Sequence, residues 1–177
     1  IAAVGLNFGD LNNMTGSPDM VSDSEPLSEF HLEQAKQFIN NLPLSERAIT
    51  YAKDRFGVTG TLASTLKLGS YVSRSDGSDE RLMVPFCDPD GVIRGYQGRA
   101  LSPDAQVRWL GPRNPDNSSW SKLGYFHGGS DDQEVLVTEG PGDALTAAAA
   151  GYDSIAVRGA AQSNIADTIK EWIKGRP

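Results

Sequence analysis

Between a short apolar run and an alanine-rich one stands Glu139-Gly140-Pro141-Gly142-Asp143, the segment of this sequence best suited to chemistry. A carboxylate at the end of a strand, two glycines that let the backbone turn tightly, and a second carboxylate at the start of a helix place two acids near one crevice. Magnesium, or manganese in its place, takes hard oxygen ligands while keeping several waters, so the pair reads as part of a divalent-cation site and not as a complete one. Asp143 has a second reading, as a helix cap whose carboxylate accepts orphan amide hydrogens at the positive end of the dipole. Glu139 has one too, as solvated loop surface.

These acids need elements to hold them. Residues 134–138 (EVLVT) form a mostly apolar run of the length and composition of a buried parallel strand, and the Gly/Pro turn after it leads into a helix from residue 143 to about 150. A strand over 154–157 and a helix over about 163–173 come next. Strand, helix, strand, helix predicts a parallel α/β sheet with its functional groups at the carboxyl ends of the strands. Upstream the period differs. Apolar spacing predicts helices over 29–41 and 45–56, the second with Ser45 as N-cap and closed by Gly57, and a short one over 61–68 ended by Gly69. Two strands, 81–87 and 92–101, flank Asp88-Pro89-Asp90-Gly91, a strong hairpin turn, and residues 106–110 add a further strand. Residues 12–28 are rich in Asn, Ser, Asp and Pro and read as a linker. The fold class expected is α/β, an α+β subdomain over 29–130 followed by a parallel sheet over 131–177, with residues 1–11 the tail of something upstream. A first residue other than Met, and an end just after a helix, point to an excerpt from a longer protein.

Composition excludes several classes. No apolar stretch approaches the roughly 20 residues that cross a bilayer, and no leader-like segment is present, so a soluble cytoplasmic protein without membrane partners is expected. One cysteine, Cys87, makes no internal disulfide, and with only His31 and His127 beside it the chain builds no Cys/His zinc cage. Cys87 lies in an apolar run and reads as a small core residue in preference to a nucleophile. The net charge of −7 argues against a wholesale polyanion binder. The distribution is uneven: residues 81–130 carry six bases against four acids, and residues 131–177 carry eight acids against four bases. A modestly positive region beside an acidic one suits a site where cations meet phosphates and carboxylates hold metal, although ordinary surface charge has the same composition.

The run EVLVTEGPGDALTAAAAGYDSIAVRGAA, residues 134–161, resembles the first half of a Toprim domain, shared by DnaG-type primases, topoisomerases and some nucleases. Upstream, RLMVPF, GYQGRAL, VRWLGPRN and SKLGYF resemble, in order, the strands and segments that precede Toprim in DnaG-type primases. The resemblance implies a primase RNA-polymerase region over 29–130, the first half of a Toprim domain over 131–177, and magnesium-dependent joining of ribonucleoside triphosphates on a single-stranded DNA template. It implies Glu139 and Asp143 as catalytic and metal-holding residues, with Arg99, Arg108 and Lys122 lining the groove for template and nucleotide. Arg108 stands where Lys is more usual, which changes the fork geometry offered to a phosphate, and Arg113 reads equally well as a surface cation. Tyr96, Trp109 and Trp120 are candidates to stack on unpaired bases, against the commoner role of packing. The segment 1–11 is similar to the stretch directly after the zinc-ribbon of phage and plasmid primases, so zinc would belong to an upstream domain, and a replicative helicase, fused or separate, is an implied partner.

One departure from the family pattern is plain. Toprim domains carry a second acidic motif, Asp-x-Asp, after a third strand, and no such strand is present here; Asp167 and Glu171 fall on the last helix as an exposed face. The segment as it stands is therefore expected to be weak or inactive. Two other classes remain open: a Toprim nuclease or topoisomerase, and a non-catalytic nucleic-acid-binding module of a replication protein.

Overall fold

In the computed structural model of the chain, residues 42–72, 79–110, 123–129, 134–157, 165–173 and 176 are described. The helix expected over 29–41 and the proposed linker lie outside them. Among the described residues the fold is α/β, with seven strands in one mixed sheet and four helices on its two faces.

Helix α1 (Glu46–Phe56) begins where expected: the Ser45 hydroxyl accepts from the Ala48 amide at 3.1 Å, and Glu46 sits in the positive first turn. It ends at Gly57, whose φ of +76° only glycine adopts without strain. Ala48, Ala52 and Phe56, four residues apart, are buried. Helix α2 (Gly60–Thr65) is shorter than the apolar pattern suggested, because the chain leaves helical geometry at Leu66 and Lys67 takes φ +53°. Gly69 therefore does not close this helix. It opens strand β1 (Gly69–Val72), too short a run to stand out in the sequence.

Strands β2 (Glu80–Cys87) and β3 (Ile93–Ala100) form the anticipated hairpin. Asp88 closes it: its carboxylate accepts from the Val92 amide at 2.9 Å and pairs with Arg94 at 2.9 Å, while Gly91 supplies φ +79°. Of the strand expected over 106–110 only β4 (Trp109–Leu110) forms, against β3, with Arg99 opposite Trp109. Strand β5 (Leu123–Phe126) has no counterpart among the expected elements. It joins β2 at Cys87, beyond the stretch paired with β1, and Pro85, with no amide proton to donate, falls in the interval between them.

Strand β6 (Leu136–Thr138), helix α3 (Pro141–Ala149), strand β7 (Ser154–Val157) and helix α4 (Ile165–Ile173) complete the order. β6 and β7 are parallel, as strand-helix-strand order demands, but β7 is antiparallel to β5, so both parts of the chain share one continuous sheet in the order β4-β3-β2-β5-β7-β6. A wholly parallel sheet is therefore not the one that forms. Nor is β6 a buried strand: it ends the strand order, with Val137 54% exposed.

Helices α1, α2 and α3 pack on one face around Leu82, Val84, Phe86, Phe126 and Ala156, each fully buried large apolar side chain contributing roughly 1.5–3 kcal/mol. Helix α4 packs more loosely on the other face, over Leu123, Tyr125 and Ile155, with Asp167 and Glu171 exposed as expected. Cys87 is half-buried. Burial raises its thiol pKa, opposed by Lys67 and reinforced by Asp88, which disfavours the nucleophilic thiolate. Among the described residues no helix is long and apolar enough to cross a membrane.

Just before β7 lies Asp153, 1% exposed. Its carboxylate accepts from the Tyr125 hydroxyl at 2.8 Å, the Arg176 guanidinium at 2.7 Å, and the Gly128 and Gly129 amides at 2.9 and 3.2 Å. Burial by itself raises its pKa, but these four donors, Arg176 foremost, together hold it below the usual carboxylate value. Asp153 therefore stabilises the fold in full above its unfolded pKa of about 3.9, and this contribution is lost as pH falls through the lower folded value. Thermal melts between pH 7 and pH 2 should show Asp153→Asn markedly less stable than the parent at neutral pH, with the gap closing below about pH 4.

Candidate nucleotide and metal site

The turn from β6 into α3 is built by spacing and small residues. After Thr138 the chain is extended at Gly140, which occupies the N-cap position at φ −166° and has no side chain to cap with. Pro141 takes the first helical position, where its missing amide proton is no loss. The Ala144 amide donates to the Gly140 carbonyl at 3.3 Å, and the Thr138 hydroxyl donates to the same oxygen at 3.1 Å. The helix thus starts two residues before Asp143. Asp143 sits in its first turn, where Gly140 and not Asp143 is the N-cap residue; its carboxylate keeps the dipole half of the capping reading, beside the positive helix end.

The glycines act differently from expectation. Neither Gly140 nor Gly142 has positive φ, so tight turning is not their purpose. A Cβ at Gly140 would meet nothing within 4 Å, whereas one at Gly142 would lie 3.3 Å from Phe56 Cε1 and 3.5 Å from Trp109 Cζ2. Gly142 lets α3 approach the aromatic side chains of α1 and β4; Gly140 leaves bare backbone at the opening.

In front of this turn is a cavity of about 500 Å³. Glu139, Gly140 and Asp143 line it from the β6–α3 side, Gln97 and Arg99 from β3, Trp109 from β4, and Arg55 and Phe56 from the end of α1. The Phe56 ring lies 6.1 Å from Tyr51 and 6.5 Å from Trp109, centroid to centroid. The Arg99 guanidinium is held over Trp109, 5.4 Å from the ring centroid, and its Nε donates to the Tyr51 hydroxyl at 2.9 Å. Arg99 and Trp109 meet because they are opposite one another in the β3–β4 register.

Glu139, Asp143 and Arg99, singled out from sequence, therefore line one cavity. Arg108 is exposed and is not among its lining residues. Lys122, Arg113 and Trp120 lie outside the described residues. Tyr96 is 2% exposed and packs in the core, so it offers no face to a base. Arg55 was missed: as a basic residue in the last turn of α1 it reads from sequence as a partner for the helix dipole, and only packing brings it to the cavity. Gln97 was missed as well, and nothing in its local sequence marks it.

Glu139 and Asp143 supply hard oxygen donors on one side of a polar cavity, and such a pair fits part of a magnesium site, the remaining positions being filled by water and phosphate oxygen. Among the described residues no group of three His, Cys, Asp or Glu side chains converges, so these two do not make a closed cage. Carboxylates and guanidinium groups line the same opening, an arrangement suited to a ligand that carries both a cation and several phosphate oxygens.

No family model matches the chain, and no curated protein sequence matches it. Solved structures do. The Aquifex aeolicus primase, comprising zinc-binding and RNA polymerase domains, matches at TM-score 0.62 and 18% identity, over 84% of this chain and 47% of that one. A DnaG primase catalytic domain bound to single-stranded DNA matches at TM-score 0.53 and 16% identity, over 82% and 58%. The RNA polymerase domain of Mycobacterium tuberculosis DnaG in complex with double-stranded DNA matches at 0.55 and 14%, over 80% and 58%. The chain thus has the fold found in DnaG-type primase catalytic domains and spans about half the length of the structures it matches.

The two glycines give a direct check on the turn. Gly140→Ala should cost less than about 1 kcal/mol, the loss of a glycine at the N-cap position, since the added methyl meets open space, whereas Gly142→Leu should destabilise by about 1–3 kcal/mol through overpacking against Phe56 and Trp109. Differential scanning fluorimetry of the two variants reads both outcomes.

Proposed function

We propose that this chain is part of a DnaG-type primase, the RNA-polymerase subdomain running into a Toprim domain, and that the whole protein makes short RNA primers on single-stranded DNA. The observation that carries this reading is the cavity in which Glu139 and Asp143 confront Arg99, Arg55 and Trp109, set in a fold shared with DnaG-type primase catalytic domains. A nucleic-acid-binding role has its support from neighbours of the same fold whose structures hold single- or double-stranded DNA.

In the reaction the 3′ hydroxyl of one ribonucleotide attacks the α-phosphate of the next and pyrophosphate leaves. A divalent cation held by Glu139 and Asp143, magnesium or manganese, would offset negative charge at the attacking and leaving oxygens. Arg99 and Arg55 face the carboxylates and draw the phosphates of nucleotide and template into the cavity. Trp109 offers an apolar floor beside Arg99, and the start of α3, which has no side-chain cap, borders the opening, where its dipole favours anionic oxygen. The family resemblance assigns Lys122 a like role toward template and nucleotide. The second acidic motif of a Toprim domain and any helicase partner belong to the remainder of the protein.

Template-directed synthesis of oligoribonucleotide by the whole protein, with magnesium and single-stranded DNA, is the decisive assay. Glu139→Gln should lower the rate at least about 100-fold while leaving affinity for a single-stranded oligonucleotide within about twofold, since the carboxylate serves charge stabilisation and not template binding. Polymerisation by Glu139→Gln at the parental rate would remove Glu139 from the site. Binding of DNA with no synthesis under any metal would favour the non-catalytic reading.

A further inference from the structure

Arg99 is the best-held cation in the cavity, and the way it is held restricts how it can meet a ligand. Its Nε is occupied by the Tyr51 hydroxyl at 2.9 Å, and one face of its guanidinium lies over the Trp109 indole. Among the described residues its two Nη groups have no hydrogen-bond or ion-pair partner, not even Glu139 or Asp143, which line the same cavity. A guanidinium can grip two oxygens side-on, through Nε and one Nη, or end-on, through both Nη groups. With Nε taken, only the end-on fork remains.

Tyr51 is placed for this by helix α1, at the edge of the core it packs against. It is half-buried, lines a second hollow with Arg47, Thr50, Asp54 and Arg55, and its hydroxyl reaches Arg99 on β3. Its ring packs edge-on against Phe56, which a phenylalanine would do equally well. The hydroxyl is therefore spare as far as packing is concerned, and its described bond is to Arg99.

We propose that Tyr51 is a positioning residue: it fixes Arg99 against Trp109 so that the paired Nη groups project into the cavity as a preformed end-on fork for one phosphate group. Fixing the rotamer in advance removes ordering entropy that a long cationic side chain otherwise loses on binding. A lysine at position 99 has neither the Nε donor nor the fork, so it cannot use Tyr51. The inference rests on the reading of the cavity as a nucleotide and template site. The phosphate recognised is that of a nucleoside triphosphate or of a nucleic-acid backbone, which share the same chemistry.

The test measures binding of the whole protein to two probes, ATP with magnesium and a single-stranded oligothymidylate, across a range of salt, for the parent, Tyr51→Phe, Arg99→Lys, Arg99→Ala and the Tyr51→Phe/Arg99→Ala double variant. Tyr51→Phe should weaken at least one probe about three- to tenfold with an unchanged melting temperature. The same hydroxyl loss should have no effect when Arg99 is already Ala, and Arg99→Lys should bind little better than Arg99→Ala. Where the oligonucleotide is the ligand, the slope of log affinity against log salt should fall in magnitude by about 0.7 in Arg99→Ala. Weakening confined to ATP assigns the fork to the nucleotide, and weakening confined to the oligonucleotide assigns it to the template. Parental affinity in Tyr51→Phe, or an equal loss in the Arg99→Ala background, overturns the positioning role alone. Failure of the parent to bind either probe overturns it together with the functional reading beneath it.

Discussion

The carboxylate of Asp153 holds the place where the two parts of the sheet meet. It stands at the head of β7, the strand that takes β5 on one side in antiparallel pairing and β6 on the other in parallel pairing. Through its side chain it engages β5 at Tyr125 and the adjoining turn at Gly128 and Gly129, and its backbone oxygen accepts from Leu136 at the start of β6 at 3.0 Å. A buried charge without such partners would be strongly destabilising, so full satisfaction of this one is a condition for the junction to exist. The junction secures distance: Glu139, at the end of β6, and Arg99, on β3, are brought to one cavity across three intervening strands.

Helix α1 supplies the third wall. Its buried face, Ala48, Ala52 and Phe56, seats it on the sheet, and the position of that face dictates where Tyr51 and Arg55 emerge, toward β3 and the α3 turn. Small residues set the closeness of approach: alanines beneath the helix, and Gly142 where α3 meets Phe56 and Trp109. The aromatic line Tyr51, Phe56, Trp109 is rigid at low entropic cost, and it carries an arginine whose orientation is fixed from two directions. Charge and shape are consequently specified by different residues. Acids come from the α3 turn, cations from α1 and β3, and the apolar floor from their packing.

Such a division suits a site that must bind several like-charged phosphates without collapsing on itself. Among the described residues Glu139 and Arg99 line the same space yet form no ion pair, so each keeps its charge available. In the proposed function, two carboxylates in an open setting would hold a divalent cation weakly unless phosphate oxygens joined them, which would tie metal retention to nucleotide binding. The proposed primase chemistry draws on that dependence, and on the remaining acidic residues that a full Toprim domain provides.

Local signals were strong enough in the sequence for α1 and the β2–β3 hairpin, because Ser45, Gly57 and Gly91 act within a few residues of themselves, and for α3 and β7 through their short apolar runs, although Pro141, part of the expected turn, is the first residue of α3. The Glu139–Asp143 pair was legible for the same reason, as was Arg99 through its resemblance to a family segment. Other features had no local cause. β1 and β5 are four residues each and become strands only by pairing with β2 and β7; β6 looks apolar enough to be buried but ends the strand order; Tyr96 and Trp109, both aromatic and on neighbouring strands, face core and cavity respectively. Arg55, Gln97 and the Tyr51–Arg99 bond depend on contacts between residues up to 48 positions apart, and no window of sequence contains them. Residue type and short-range geometry thus determined which chemistry was possible. Long-range strand pairing and the packing of α1 decided which groups would share a cavity, because only they set the distances between elements that the chain keeps far apart.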